Sequence, residues 1–85
     1  MEFDYKKKFR KSFRDLSQKV RGKFAERLDQ FVKNKYDPIL DNHPVDRAYP
    51  GCRSIDITGD YRAIFFEERD VVTFVTIGTH AQLYK

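Results

Sequence analysis

Three short runs of strand-forming residues, separated by turns too short for any crossover, fill the last third of this chain and leave it few folds to adopt. Within Ser54–Lys85, Ile55 and Ile57 sit two apart, Tyr61–Phe66 is aromatic and aliphatic around a single arginine, and Val71–Ile77 is almost wholly β-branched or aromatic. Runs of this make-up, bounded by Gly, Asp and charged clusters, mark strands. Thr58-Gly59-Asp60 supplies a first turn, with Gly59 free to take positive φ; Glu68-Arg69-Asp70 supplies a second, less specific one without glycine. Such spacings join only antiparallel neighbours, since a parallel pair needs a long crossover. The stretch predicts a three-stranded meander that emits His80 from its last strand, ahead of a short polar tail carrying Tyr84.

Upstream the period changes. Phe9, Phe13, Leu16, Val20, Phe24, Leu28 and Phe31 recur at three- and four-residue steps, with Lys and Arg between them. Either two helices, over residues 6–16 and 18–34 with Ser17 capping the second, or one bent helix accounts for this stripe, which Gly22 interrupts. Helical spacing assigns these aromatics to a core. Met1–Tyr5 reads as a short strand joining one sheet edge, with Phe3 and Tyr5 on a common side. Tyr36–Gly51 gathers Pro38, Pro44 and Pro50 among Asp37, Asp41, Asn42 and Asp46, a connecting loop with one helical turn at Pro38–Leu40. No linker, repeat or low-complexity tract divides the chain. The expected architecture is α+β: one domain over residues 1–85, with two N-terminal helices packed on one face of a small antiparallel sheet.

Charge is unevenly placed. Residues 1–35 carry twelve Lys/Arg against five Asp/Glu, and residues 36–85 carry five against eight, so a net charge of +4 hides a basic half and an acidic one. A basic half favours a polyanion, an acidic protein partner, or both. No apolar run approaches a membrane span or a secretory signal. A single cysteine, Cys52, excludes an internal disulfide and fits a reducing cytoplasm. Two histidines far apart in the sequence give no zinc pattern, and neither a metal nor a cofactor is implied.

Helices on one sheet face leave the other for binding. Alternation sets Ser54 and Asp56 opposite Ile55 and Ile57, so one face of that strand is polar. Arg62 is the charged residue in an otherwise apolar strand, where it needs a partner or exposure; an ion pair with Asp56 or Asp60 answers that need as well as a functional role does. Arg53 and Arg62 together would suit a phosphate held by guanidinium forks. His80 has the side chain whose ordinary pKa, about 6.5, suits proton transfer. Tyr84 follows four residues later, on the same face if the tail makes a helical turn, and is placed to stack on a base or bond a phosphate; packing against the fold is its plainer role. His43, in Asn42-His43-Pro44, is a loop histidine. No nucleophile elbow or glycine-rich phosphate loop occurs. The set fits RNA cleavage by the ribose 2′-OH, with His80, Arg62 and Arg53 around the phosphate and Asp60 or Asp56 orienting or moving a second proton.

Four blocks in order, Asn42-His43-Pro44, Gly51-Cys52-Arg53-Ser54-Ile55, Gly59-Asp60-Tyr61-Arg62-Ala63-Ile64 and Ile77-Gly78-Thr79-His80-Ala81-Gln82-Leu83-Tyr84, resemble the RelE superfamily of type II toxins, nearest its YafQ-like branch. The resemblance implies a metal-independent ribonuclease that enters the ribosomal A site, contacts rRNA and cuts mRNA during translation, neutralised by a cognate antitoxin. By motif it assigns catalysis to His80, Arg62, Asp60, Tyr84 and His43; Arg53, Arg62 and Tyr61 are expected to bind substrate. Asp56 stands where YafQ-like toxins carry another catalytic histidine, and is counted as catalytic in its place. Two rivals remain: a ParE-like toxin that poisons DNA gyrase by binding, and a non-catalytic RNA-binding module.

Overall fold

The computed structural model describes residues 1–84; Lys85, the last residue of the expected domain, lies outside them. The chain runs β1 (Glu2–Tyr5), α1 (Lys7–Arg14), α2 (Gln18–Lys33), a 3₁₀ turn (Pro38–Leu40), β2 (His43–Pro44), β3 (Arg53–Asp56), β4 (Tyr61–Glu68), β5 (Val71–Thr79) and α3 (His80–Leu83). The five strands form one sheet in the order β1-β5-β4-β3-β2. Both long helices lie on one face.

The helical stripe divides at Asp15–Ser17, not at Gly22: Ser17 Oγ accepts the Val20 N–H at 3.2 Å and caps α2. One bent helix is thereby excluded. The meander β3-β4-β5 is antiparallel as expected, whereas β1 lies parallel to β5, with Glu2 beside Val71 and Tyr5 beside Phe74. The sheet is therefore mixed, because the helices carry the chain back between β1 and its distant neighbour. Phe3 and Tyr5 face the helices and flank Phe74 with ring centres at 6.2 and 5.9 Å. Phe9, Phe24 and Phe65 close on the same ring at 5.2–5.7 Å. Phe74 is fully buried at the centre of this cluster.

The turn at Thr58-Gly59-Asp60 does not use positive φ at Gly59. Thr58 Oγ1 instead accepts the N–H groups of Asp60 and Tyr61, at 3.2 and 3.1 Å. The left-handed residue lies in the other hairpin, at Arg69 with φ 59°. On the face away from the helices, Ser54, Ile64 and Thr76 are buried. That face is not an open platform: the loop after β2 and α3 meet above it, and Tyr49 Oη donates to the Leu83 carbonyl at 2.8 Å.

Candidate active site

Strand register brings distant residues to one face. His43 stands opposite Ser54, Ser54 opposite Ile64, Asp56 opposite Arg62, and Arg62 opposite Gly78. Because side chains alternate along a strand, His43, Ser54, Asp56 and Arg62 all face away from the helices. Gly78 sits beside Arg62 where the chain is about to leave the sheet. A Cβ at Gly78 would come 2.9 Å from Gln82 Oε1, an oxygen that the cap of α3 needs.

That cap is reciprocal. The Gln82 N–H donates to Thr79 Oγ1 at 3.2 Å, and the Thr79 N–H to Gln82 Oε1 at 2.8 Å. It fixes a single helical turn, across which His80 and Tyr84 meet with ring centres 4.7 Å apart. Tyr49 holds the far end by its bond to Leu83 and by an edge-on contact with Tyr84 at 6.0 Å. His43, Arg62, His80 and Tyr84 thus border one open cleft of about 800 Å³, with Asp41, Arg47 and Tyr49 on its walls.

The two histidines are held differently. His43 Nδ1 lies 2.7 Å from the Asp41 carbonyl oxygen. A carbonyl only accepts, so Nδ1 carries a proton, and in the neutral ring the lone pair is left on Nε2, a tautomer assigned from this contact. Asp41 makes the contact from a left-handed backbone, φ 46°, a strained conformation of the kind kept near sites. His80 has its ring set by a tilted contact with Tyr84, the ring planes at 42°.

Arg62 is clamped. Its Nη1 donates to the carbonyls of Thr58, Gly59 and Tyr61 at 3.0–3.1 Å, and Nε lies 2.8 Å from Asp56 Oδ1. That last approach is an ion pair whose alignment falls short of a hydrogen bond. Much of the Arg62 charge is therefore cancelled by Asp56. Burial pushes the Asp56 carboxyl above its ordinary 3.8, and the pull of Arg62 offsets only part of that. The sign follows: the folded chain holds this proton to higher pH than the unfolded chain, so ionising Asp56 costs stability as pH climbs from 3.8 through the raised value. Asp56→Asn removes this decline. Urea unfolding at several pH values is expected to show the variant gaining on wild type as pH rises across that window; parallel curves would contradict it.

Not every expected site residue joins the cleft. Arg53 lies opposite Phe65, three positions from Asp56 and hence on the helix-side face. The pair of arginine forks expected from Arg53 and Arg62 does not form. Tyr61 precedes Arg62 and points the other way, packing against the core. Asp60 is in the β3–β4 turn and lines an adjoining depression that also touches His80 and Tyr61. Asp56 reaches the cleft through Arg62. Conversely, sequence reasoning passed over Arg47, an exposed wall residue with no ion-pair partner among the described residues. It also passed over Asp41 and Tyr49, which orient the two histidine segments. Loops carry no periodicity, so nothing in the sequence pattern pointed to these three. Among the described residues no group of three or more His, Cys, Asp or Glu side chains is placed to hold a metal ion.

A family model described as ParE toxin of type II toxin-antitoxin system, parDE, matches residues 3–84. Among solved structures, YafQ from E. coli strain BL21(DE3) superposes with a TM-score of 0.81 at 21% identity, covering 99% of this chain and 98% of that one. The E. coli DinJ-YafQ complex gives 0.79 at 22%, covering 99% and 98%. The RelB-RelE antitoxin-toxin complex from Methanococcus jannaschii gives 0.73 at 16%, covering 95% and 94%. At these identities the likeness is one of fold. No curated protein matches.

Proposed function

The chain belongs to the ParE toxin family of type II toxin-antitoxin systems, and from that premise we propose that it is an endoribonuclease cutting mRNA in the A site of the translating 70S ribosome. The observation that carries the reading is the clustering of His43, Arg62, His80 and Tyr84 around one cleft, with the His80 and Tyr84 rings in contact. A protein acting by binding alone has no need of two histidines converging beside a clamped arginine.

In the proposed reaction the 2′-oxygen preceding the cut attacks the adjacent phosphorus and loses its proton to the free Nε2 of His43. The bond from phosphorus to O5′ breaks, and His80 gives a proton to that oxygen. The products are a 2′,3′-cyclic phosphate and a 5′-hydroxyl. Arg62 and Arg47 face the charge that builds on the phosphorane. Tyr84 fixes the His80 ring; Asp56 positions Arg62, and Asp60 borders His80 from the adjoining depression. Because Arg62 is largely neutralised by Asp56, Arg47 supplies much of the net positive charge at the cleft. Arg47→Ala is therefore expected to lower the cleavage rate by about tenfold or more, with Arg47→Lys recovering part of it. Equal rates for all three proteins would remove Arg47 from the mechanism.

The proposed partners are mRNA, rRNA met by the basic helical half, and a cognate antitoxin, all in the cytoplasm. The DinJ-YafQ and RelB-RelE toxin–antitoxin complexes each hold a chain of this fold, which supports the antitoxin. Among the described residues no helix is long and apolar enough to cross a membrane.

The family description itself names parDE, and this favours a second reading, a ParE-like poison of DNA gyrase. Parallel assays separate the two. The purified chain is titrated into a translating extract, scored for new mRNA ends, and into a gyrase supercoiling reaction. New ends with supercoiling intact are expected; the reverse pattern would replace the first reading by the second.

A further inference from the structure

We propose that Tyr36 and Arg53 form a second nucleotide-binding platform, behind the cleft, that stacks an unpaired base of the RNA strand and holds its phosphate. This rests on RNA being the substrate, as argued above. Tyr36 follows α2 and is 61% exposed. Its ring centre lies 5.9 Å from the Arg53 guanidinium and 5.7 Å from the Lys35 ammonium.

These two cations differ. Lys35 is paired with Glu67 at 3.0 Å. Arg53 donates from Nε to Asn42 Oδ1 at 2.7 Å and from Nη2 to the Asn42 carbonyl at 3.3 Å. Both acceptors are neutral, so the Arg53 charge is oriented without being cancelled. A largely exposed tyrosine with a fixed guanidinium over its ring is the combination that binds a base together with its phosphate.

The platform is tied to the cleft. Asn42 Nδ2 donates to the Lys35 carbonyl at 2.9 Å, so one asparagine joins the Tyr36 segment, Arg53 and the backbone entering His43. In the β2–β3 register Pro44 stands opposite Arg53 and His43 opposite Ser54. Cleft and platform therefore occupy the two sides of one two-residue edge strand. An RNA strand leaving His43 over that edge arrives at Arg53 and Tyr36. Arg53, absent from the scissile-phosphate site, thereby gains a substrate contact of its own.

The test measures fluorescence anisotropy of a labelled 12-nucleotide oligoadenylate with the full chain as wild type, Tyr36→Ala, Tyr36→Phe and Arg53→Ala. Tyr36→Ala is expected to weaken binding roughly 5- to 150-fold, the range for losing one stacked base, while Tyr36→Phe stays near wild type. Arg53→Ala is expected to flatten the dependence of log K on log salt by about 0.7, one phosphate's share. Unchanged binding by Tyr36→Ala overturns the platform, and so does an equal loss in Tyr36→Phe. A loss seen only in affinity for the antitoxin also overturns it, assigning the patch to a protein partner. Wild type that fails to bind the oligonucleotide overturns it too, but leaves cleavage on ribosomes to be judged separately by mRNA ends. Because Tyr36 is exposed, a folding defect is not expected to mimic any of these results.

Discussion

Replacing His80 by alanine is expected to lower the single-turnover rate of mRNA cleavage on ribosomes by about 10²- to 10⁴-fold, the range for removing a positioned acid or base. The loss is expected in the chemical step and not in ribosome binding, because the imidazole is assigned to the leaving oxygen. Tyr84→Ala frees the His80 ring without deleting it, and is expected to fall between wild type and His80→Ala. Cleavage by His80→Ala at the wild-type rate would move proton transfer to His43, Asp56 or Asp60.

The largest effect on stability is expected at Phe74. Five aromatic rings, those of Phe3, Tyr5, Phe9, Phe24 and Phe65, have their centres within 6.2 Å of its own, and they come from β1, both long helices and β4. Truncation to alanine removes the shared contact of all these elements and leaves a cavity, a change that costs about 3–5 kcal/mol in well-packed cores. Small domains hold on the order of 5–15 kcal/mol in total, and a chain this short is expected near the lower end. Phe74→Ala is therefore expected to lower the urea midpoint by roughly 2 M or more, read by far-ultraviolet circular dichroism since the chain has no tryptophan. Tyr36→Ala, at an exposed position, is expected to stay within about 0.5 kcal/mol of wild type. A Phe74→Ala protein as stable as Tyr36→Ala would contradict the packing described here.

How far the sequence revealed all this depends on the range of each interaction. The two helices and the β3-β4-β5 meander were legible because their signals are local: a three-to-four-residue stripe from Phe9 to Phe31, strand runs joined by tight turns, and Ser17 as a cap. The His80–Tyr84 pairing was legible too, since one helical turn joins them. The parallel β1–β5 pairing was not, because strand direction depends on how the helices return the chain. The cleft was half legible. His43 enters it through β2, a strand of two residues ending in proline, too short to register as one. Arg53 was misplaced through a matter of parity. Its separation from Asp56 is odd, which already puts the two on opposite faces, yet its closeness along the chain suggested company for Arg62. Arg47, Asp41 and Tyr49 sit in or beside an aperiodic loop, where only three-dimensional closure gives them neighbours.

The chemistry of the cut ends tests the central claim most directly. Messenger RNA recovered from ribosomes treated with the wild-type chain is ligated to an adaptor with and without prior 5′-phosphorylation, and the new ends are counted. Attack by the 2′-oxygen leaves a 5′-hydroxyl, so the new ends are expected to ligate only after phosphorylation, and to be absent with His80→Ala. Ends that ligate directly would mean a 5′-phosphate and a different nucleophile. No new ends, with growth still arrested, would contradict the ribonuclease account altogether.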